Sequence, residues 1–246
     1  DFDLAELTQE ASQLVDLGGL RLSGDGRGRF QWRRQSQQEY VADGNLQIDG
    51  FQLASGDESG WSEEKLQLRV DAQGPIDNVP GIAVRSGKVQ LDIGEDQLTA
   101  TLAGPVTDLG SAPSYPVDLH TQGDLVRWST RLQPLLPLGD WQMVGRLTAT
   151  GRVDYGAELT TVRNAKIHVQ EFTVRSPQLN FYDPEVELSV GQAKWFPSKN
   201  RLEIPSASLA GQTVGVGVEP FAVAWSGGEL SEANGTVAVR TTLDRL

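Results

Sequence analysis

The chain has 246 residues, no cysteine and a formal net charge of −12. That charge argues against nucleic acid, whose phosphates need a basic face, and against adsorption to anionic lipid heads. The missing thiols exclude disulfides, thiolate metal sites and a cysteine nucleophile. With 38% hydrophobic residues and 27 glycines, a core can form over one large β domain or two of about 120 residues. No run approaches the ~20 apolar residues that a membrane helix needs. With neither an initiating Met nor a signal peptide, the chain reads as a mature or excised piece.

In chain order, the first predicted element is a helix over 3–14. Leu4, Leu7, Ala11 and Leu14 follow i, i+3, i+7, i+10, one helical face, and Asp3 stands where its carboxylate caps free backbone N–H groups. "GDGRGR" (24–29) is glycine-rich but leads into a strand, so it reads as a twisted or closely packed strand start and not a phosphate cradle. Alternating apolar residues predict strands near 20–34, 38–54, 64–72, 86–94 and 97–103, separated by turn signals such as Gly74-Pro75 and Gly94-Glu95-Asp96. Asp57-Glu58 and Glu63-Glu64 flank Trp61 and read as a solvated hairpin tip, with a Ca²⁺ loop or sugar patch as the rarer alternative. "GPVTDLGSAPSYP" (104–116) reads as a linker.

A second helix follows over 124–135, with Leu125, Trp128, Leu132 and Leu135 on one face, Asp124 as its cap and Pro134 as a kink or break. Further strands are predicted near 141–154, 159–175, 185–195, 201–210, 212–226 and 235–241. Asp183-Pro184-Glu185 reads as a turn or an edge strand. Leu243-Asp244-Arg245-Leu246 either opens a third copy of the unit or ends the last strand.

The two helices are in register at an offset of 121 residues, and the offset persists. "NLQIDGFQLAS" (45–55) matches "KIHVQEFTVRS" (166–176), and "LQLRV" (66–70) matches "VELSV" (186–190) at an offset of 120. The chain therefore divides into repeat one (1–122) and repeat two (123–246), each a helix plus a β-meander. In both, the alternation slips by one residue: Ile48 gives way to Phe51, and Val169 to Phe172. A strand that keeps one face inward through such a slip needs an extra residue, which predicts bulges near Asp49-Gly50 and Gln170-Glu171. A turn between two short strands is the other reading. A third slip crosses Glu219-Pro220.

The predicted fold is mainly β: curled antiparallel meander sheets, forming an open groove or a sandwich, with two short amphipathic helices and internal duplication. The apolar positions Leu66, Leu68, Val70, Val186, Leu188 and Val190 mark one face, which either contacts lipid or packs as core. No catalytic, metal or cofactor constellation stands out. His120 and His168 sit singly in strand-like surroundings, and no serine lies in a nucleophile elbow. The expectation is a non-enzymatic protein without a cofactor.

"GDLVRWSTRLQPLL" followed by "GRLTATGRV", "NAKIHVQEFTV", "FYDPEVELSV" and "IPSASLAG" resembles the AsmA/TamB-like envelope proteins in style, over about residues 1–210. The resemblance implies long proteins of the Gram-negative envelope, anchored at the inner membrane by a segment not in this chain. It implies sheets curled into an apolar groove through which lipid crosses the periplasm. On that reading the partners are phospholipid acyl chains and neighbouring repeats of a longer chain, and the location is periplasmic. The alternative is a β-sandwich module for glycan or protein, with Trp61 or Trp195-Phe196 at its surface.

Overall fold

The computed structural model describes residues 1–6, 20–55, 60–76, 82–132, 141–226 and 229–241. They form one antiparallel sheet of thirteen strands in sequence order: β1 (Phe2–Asp3), β2 (Leu20–Arg34), β3 (Glu39–Ser55), β4 (Trp61–Pro75), β5 (Ser86–Ile93), β6 (Asp96–Leu102), β7 (Tyr115–Asp124), β8 (Gln142–Tyr155), β9 (Thr160–Ser176), β10 (Leu179–Phe196), β11 (Arg201–Gly211), β12 (Val214–Ser226) and β13 (Glu229–Thr241). The sheet is a pure meander and is not closed. All thirteen strands belong to this one sheet, and there is no second sheet among the described residues. Helix α1 (Leu125–Leu132) links β7 to β8, and residues 4–6 are helical. The rest of the predicted first helix, Pro134 and Leu243–Leu246 lie outside the described residues.

The strands follow the alternation. On β4, Leu66 and Gly74 are buried and Leu68, Val70 and Ala72 half-buried, while Lys65, Arg69 and Asp71 are exposed on the other side. The slips in phase are bulges. Between Ser23↔Gln52 and Asp25↔Asp49, Gly24 alone opposes Gly50 and Phe51. Between Val144↔Thr173 and Arg146↔Gln170, Gly145 alone opposes Glu171 and Phe172. Both bulges use a left-handed residue, Gly50 at φ 63° and Glu171 at φ 54°. The slip at Pro220 is a third register shift, against β13.

The two halves also start alike. Phe2↔Gly26 and Asp3↔Asp25 on β1 and β2 are the same pairs, 121 residues earlier, as Gly123↔Leu147 and Asp124↔Arg146 on β7 and β8. Size is exchanged across the pair. The Phe2 ring covers Gly26, where a Cβ would lie only 2.1 Å from it, whereas Leu147 faces Gly123.

Three expectations need correction. The span 104–116 is not a free linker. Tyr115 and Pro116 belong to β7, and Val106 is buried in a bridge to Val84. Alternation does not reveal β7, because Thr121 and Gly123 stand at inward positions and leave only Val117 and Leu119 to alternate. Asp183-Pro184-Glu185 is not a turn but runs inside β10, where it pairs with β9 alone and so forms a local edge. Pairing with β11 begins only at Val186, so Pro184 breaks no bond of that ladder. Finally, Trp61 starts β4 and stacks edge-on against Phe51 with ring centroids 4.8 Å apart, so it is core and not a hairpin tip. Asp57 and Glu58 lie outside the described residues.

Candidate functional site: a one-sided apolar face

Strand register sorts the side chains into rows that cross the sheet. One row runs Leu46, Leu68, Leu91, Leu98, Thr121, Ala149, Ile167, Leu188, Leu209, Val216 and Val239, from β3 to β13. The neighbouring row holds Phe30, Gly44, Val70, Val89, Ala100 and Leu119, and then Ala165, Val190, Ala207, Val218 and Val237. No charged side chain enters either row. The opposite face is mostly polar: Gln47, Gln67, Asp92, Gln97, Gln122, Thr148, His168 and Glu187 form one row of it. His120 is on this polar face and exposed, and His168 lies 3.6 Å from Glu185.

All six predicted face residues lie on the apolar side, and they differ in depth. Leu66 and Val186 are 4% and 3% exposed and belong to the core. Leu68, Val70, Leu188 and Val190 are half-buried on a face that no other layer covers among the described residues. The face opens further at both ends of the sheet, where Phe30 and Val239 are 67% and 61% exposed. An uncovered apolar face this wide is rare on a globular domain.

One end of the strands is closed. Ile48, Phe51, Leu53, Leu66 and Ile93 form a buried cluster, with Leu4 from the first helical turn and Trp128 from α1 packed on it. α1 thus opens the second half in sequence but closes the first half in space. Both candidate caps make the bonds expected of them. Asp3 Oδ1 accepts the Ala5 N–H at 2.7 Å, and Asp124 Oδ1 accepts the Val126 and Arg127 N–H groups at 2.8 and 3.2 Å.

The docking of α1 rests on a buried carboxylate that sequence reasoning missed. Asp96, 1% exposed, starts β6 on the apolar side. It accepts Arg127 Nε and Nη2 at 2.6 and 2.7 Å, Arg131 Nη1 at 2.6 Å and the Asp124 N–H at 2.9 Å. Arg131, 4% exposed, also donates to Glu63 at 2.6 Å. Trp61 Nε1 donates to the same carboxylate oxygen. Burial alone would raise the Asp96 carboxyl, but the hydrogen bonds from Arg127, the Asp124 N–H and Arg131 win and hold it at about 2. The Asp96 bond in turn raises the Arg127 guanidinium above its ordinary range.

This arrangement explains the "GDL" helix start. A Cβ on Gly123, at φ 154°, would lie 2.2 Å from Asp96 Oδ1, so glycine leaves the room that the carboxylate fills. The legible signal is Arg127 and Arg131 at i, i+4. Two like charges on one helical face repel unless an anion sits between them.

A second carboxylate, Asp183, is fully buried and has no cationic partner among the described residues. It accepts the N–H groups of Glu185, Gln212 and Thr213 at 3.1, 3.1 and 2.8 Å and the Thr213 hydroxyl at 2.8 Å. Burial raises its carboxyl, and the N–H donors of Thr213, Gln212 and Glu185 outweigh that and hold it below the usual range.

No family model, curated protein or solved structure matches the chain. No helix among the described residues is long and apolar enough to cross a membrane.

Proposed function

We propose that this chain is a non-enzymatic module of a cell-envelope β-groove that holds or conducts phospholipid acyl chains, in the manner its resemblance to AsmA/TamB-like proteins implies. Its two units, 1–122 and 123–246, are copies that share one continuous sheet, and its setting is the periplasm. One observation carries the reading: two adjacent rows free of charge cross the open sheet, and no described residues are layered over them. Each methylene that such a face removes from water contributes about 0.8 kcal/mol. Binding of this kind selects for acyl chains by buried area and not by shape. The polar row behind it keeps the other side in water, and the meander carries the row from Leu46 to Val239 without a break from the first unit into the second.

The test is photo-crosslinking from positions 68 and 188 in cells, with organic extraction of the purified chain. Lipid adducts at both positions and co-extracted phospholipid are expected. A chain that carries no extractable lipid and crosslinks only to protein would sink the reading.

A further inference from the structure

The apolar face also changes character along the strands. Its helix end is closed by α1. Toward the other end of β2 the same face presents Gly26, Gly28, Phe30, Trp32 and Arg34, every second residue, over about 27 Å. The column passes from bare backbone through two aromatic rings to a cation. Trp32 is 57% exposed and stacks on Tyr40 with ring centroids 6.0 Å apart. Tyr40 is fixed from behind, its hydroxyl donating to the Ala83 carbonyl at 2.8 Å.

Arg34 stands out among its neighbours. Arg33 pairs with Asp43 at 3.1 Å, and Arg85 pairs with Glu39. Arg34 donates to the Gln37 carbonyl at 3.0 Å and has no carboxylate partner among the described residues. With Ser36, Gln38, Ile76 and the paired Arg85 and Glu39 it lines an open cleft of about 650 Å³ at this rim, so Arg34 is the cationic group of the cleft not already matched by a carboxylate there.

We propose that this cleft seats the phosphate of a phospholipid whose acyl chains lie over Trp32 and Phe30 along the apolar face. The inference rests on the lipid-groove reading above and gives the lipid a direction: head at the Arg34 rim, tails toward α1. An indole suits the boundary because it is apolar in body and polar at one edge. A guanidinium matches two phosphate oxygens at once. In a chain of net charge −12 the overall field repels an anion, so an arginine without a carboxylate partner at the end of a greasy column is the local exception that a phosphate needs.

The experiment uses the whole chain and two short-chain probes below their micelle concentrations, dioctanoylphosphatidylglycerol and dioctanoylglycerol, which share tails and differ in the phosphate. Calorimetry should show about tenfold tighter binding of the phosphatidyl probe. Arg34→Gln should remove that preference without changing the affinity for dioctanoylglycerol, and Arg33→Gln should leave the preference intact. Arg34 is exposed, so the variant should melt like the parent. Equal binding of both probes by the parent chain, or an undiminished preference in Arg34→Gln, would overturn the cleft while leaving the groove. Binding of neither probe would overturn the groove reading itself. Binding of inorganic phosphate alone, abolished by Arg34→Gln, would make the cleft a free-anion site and overturn the lipid assignment.

Discussion

Glu63 and Asp183 occupy the same place in the two halves of the sheet: one opposes Phe51 on β3, the other Phe172 on β9. They are satisfied from opposite sources. Glu63, together with Asp96, is met by two arginines that arrive on α1, whereas Asp183 is met by backbone N–H groups of the hairpin between β11 and β12. The first half therefore depends on a helix from beyond its own strands, and the second half closes this position with its own chain. One β architecture has two ways of keeping a carboxylate on an apolar face, and only one of them ties neighbouring units together.

The largest effect should come from removing the acceptor that α1 needs. Asp96→Ala leaves Arg131 buried with Glu63 alone and strands the Asp124 N–H. A broken buried pair of this kind costs about 3–5 kcal/mol. Urea denaturation should report that loss, and hydrogen exchange should report deprotection of 125–132. Asp183→Ala should cost about 2–3 kcal/mol through its orphaned N–H donors, with protection lost at 212–213 and kept at 125–132. Deprotection of α1 by both variants would break the contrast between the halves.

Acid should separate them next. The Asp96 carboxyl sits at about 2 in the folded chain against an ordinary value of 3.8. A carboxyl depressed by folding contributes stability that is fully present above its unfolded value and is lost as pH falls through the folded one. Stability should therefore drop between about pH 4 and pH 2, and Asp96→Asn, already destabilised, should show a shallower drop. Asp183 is also depressed, so some acid sensitivity persists in that variant. An identical pH slope in parent and variant would show that Asp96 does not link α1 to protonation.

Gly123→Ala should come third, at about 2 kcal/mol, because the added methyl overlaps the Asp96 carboxylate and the residue has φ 154°. Its signature should follow Asp96→Ala, with α1 deprotected. A uniform loss across the sheet would mean that the cost is backbone strain and not a loosened contact between α1 and Asp96.

Much of this architecture is written in the chain. Alternation marks the strands because one face is apolar and the other mostly polar along nearly their whole length, and a one-residue slip in alternation marks a bulge because a strand has no other way to keep its apolar face on one side. The offset of 121 residues carries both bulges and both helix starts. β7 is hidden because "TQG" gives no apolar signal where Thr121 and Gly123 point inward. The contact between α1 and Asp96 is hidden for a different reason: Asp96 and Arg131 are 35 residues apart, and only the pairing of β6 with β7 brings them together. The Arg34 column becomes legible only when register puts Gly28, Phe30, Trp32 and Arg34 on the face of Leu46 and Ala42.

The smallest effect tests whether the two bulges are one device. Gly50 adopts φ 63°, and a Cβ added there would meet nothing within 4 Å, so its glycine serves the backbone and not packing. Glu171 adopts φ 54° at the matching position of β9 and is exposed. A left-handed non-glycine residue carries a conformational cost that glycine lacks, offset in part by the greater freedom glycine brings to the unfolded chain. Glu171→Gly should therefore stabilise by up to about 1 kcal/mol, and Gly50→Ala should destabilise by about the same. Paired urea midpoints on the two variants read the difference directly. If Glu171→Gly destabilises instead, the glutamate side chain holds the second bulge by a contact of its own, and the two halves reach one geometry by different means.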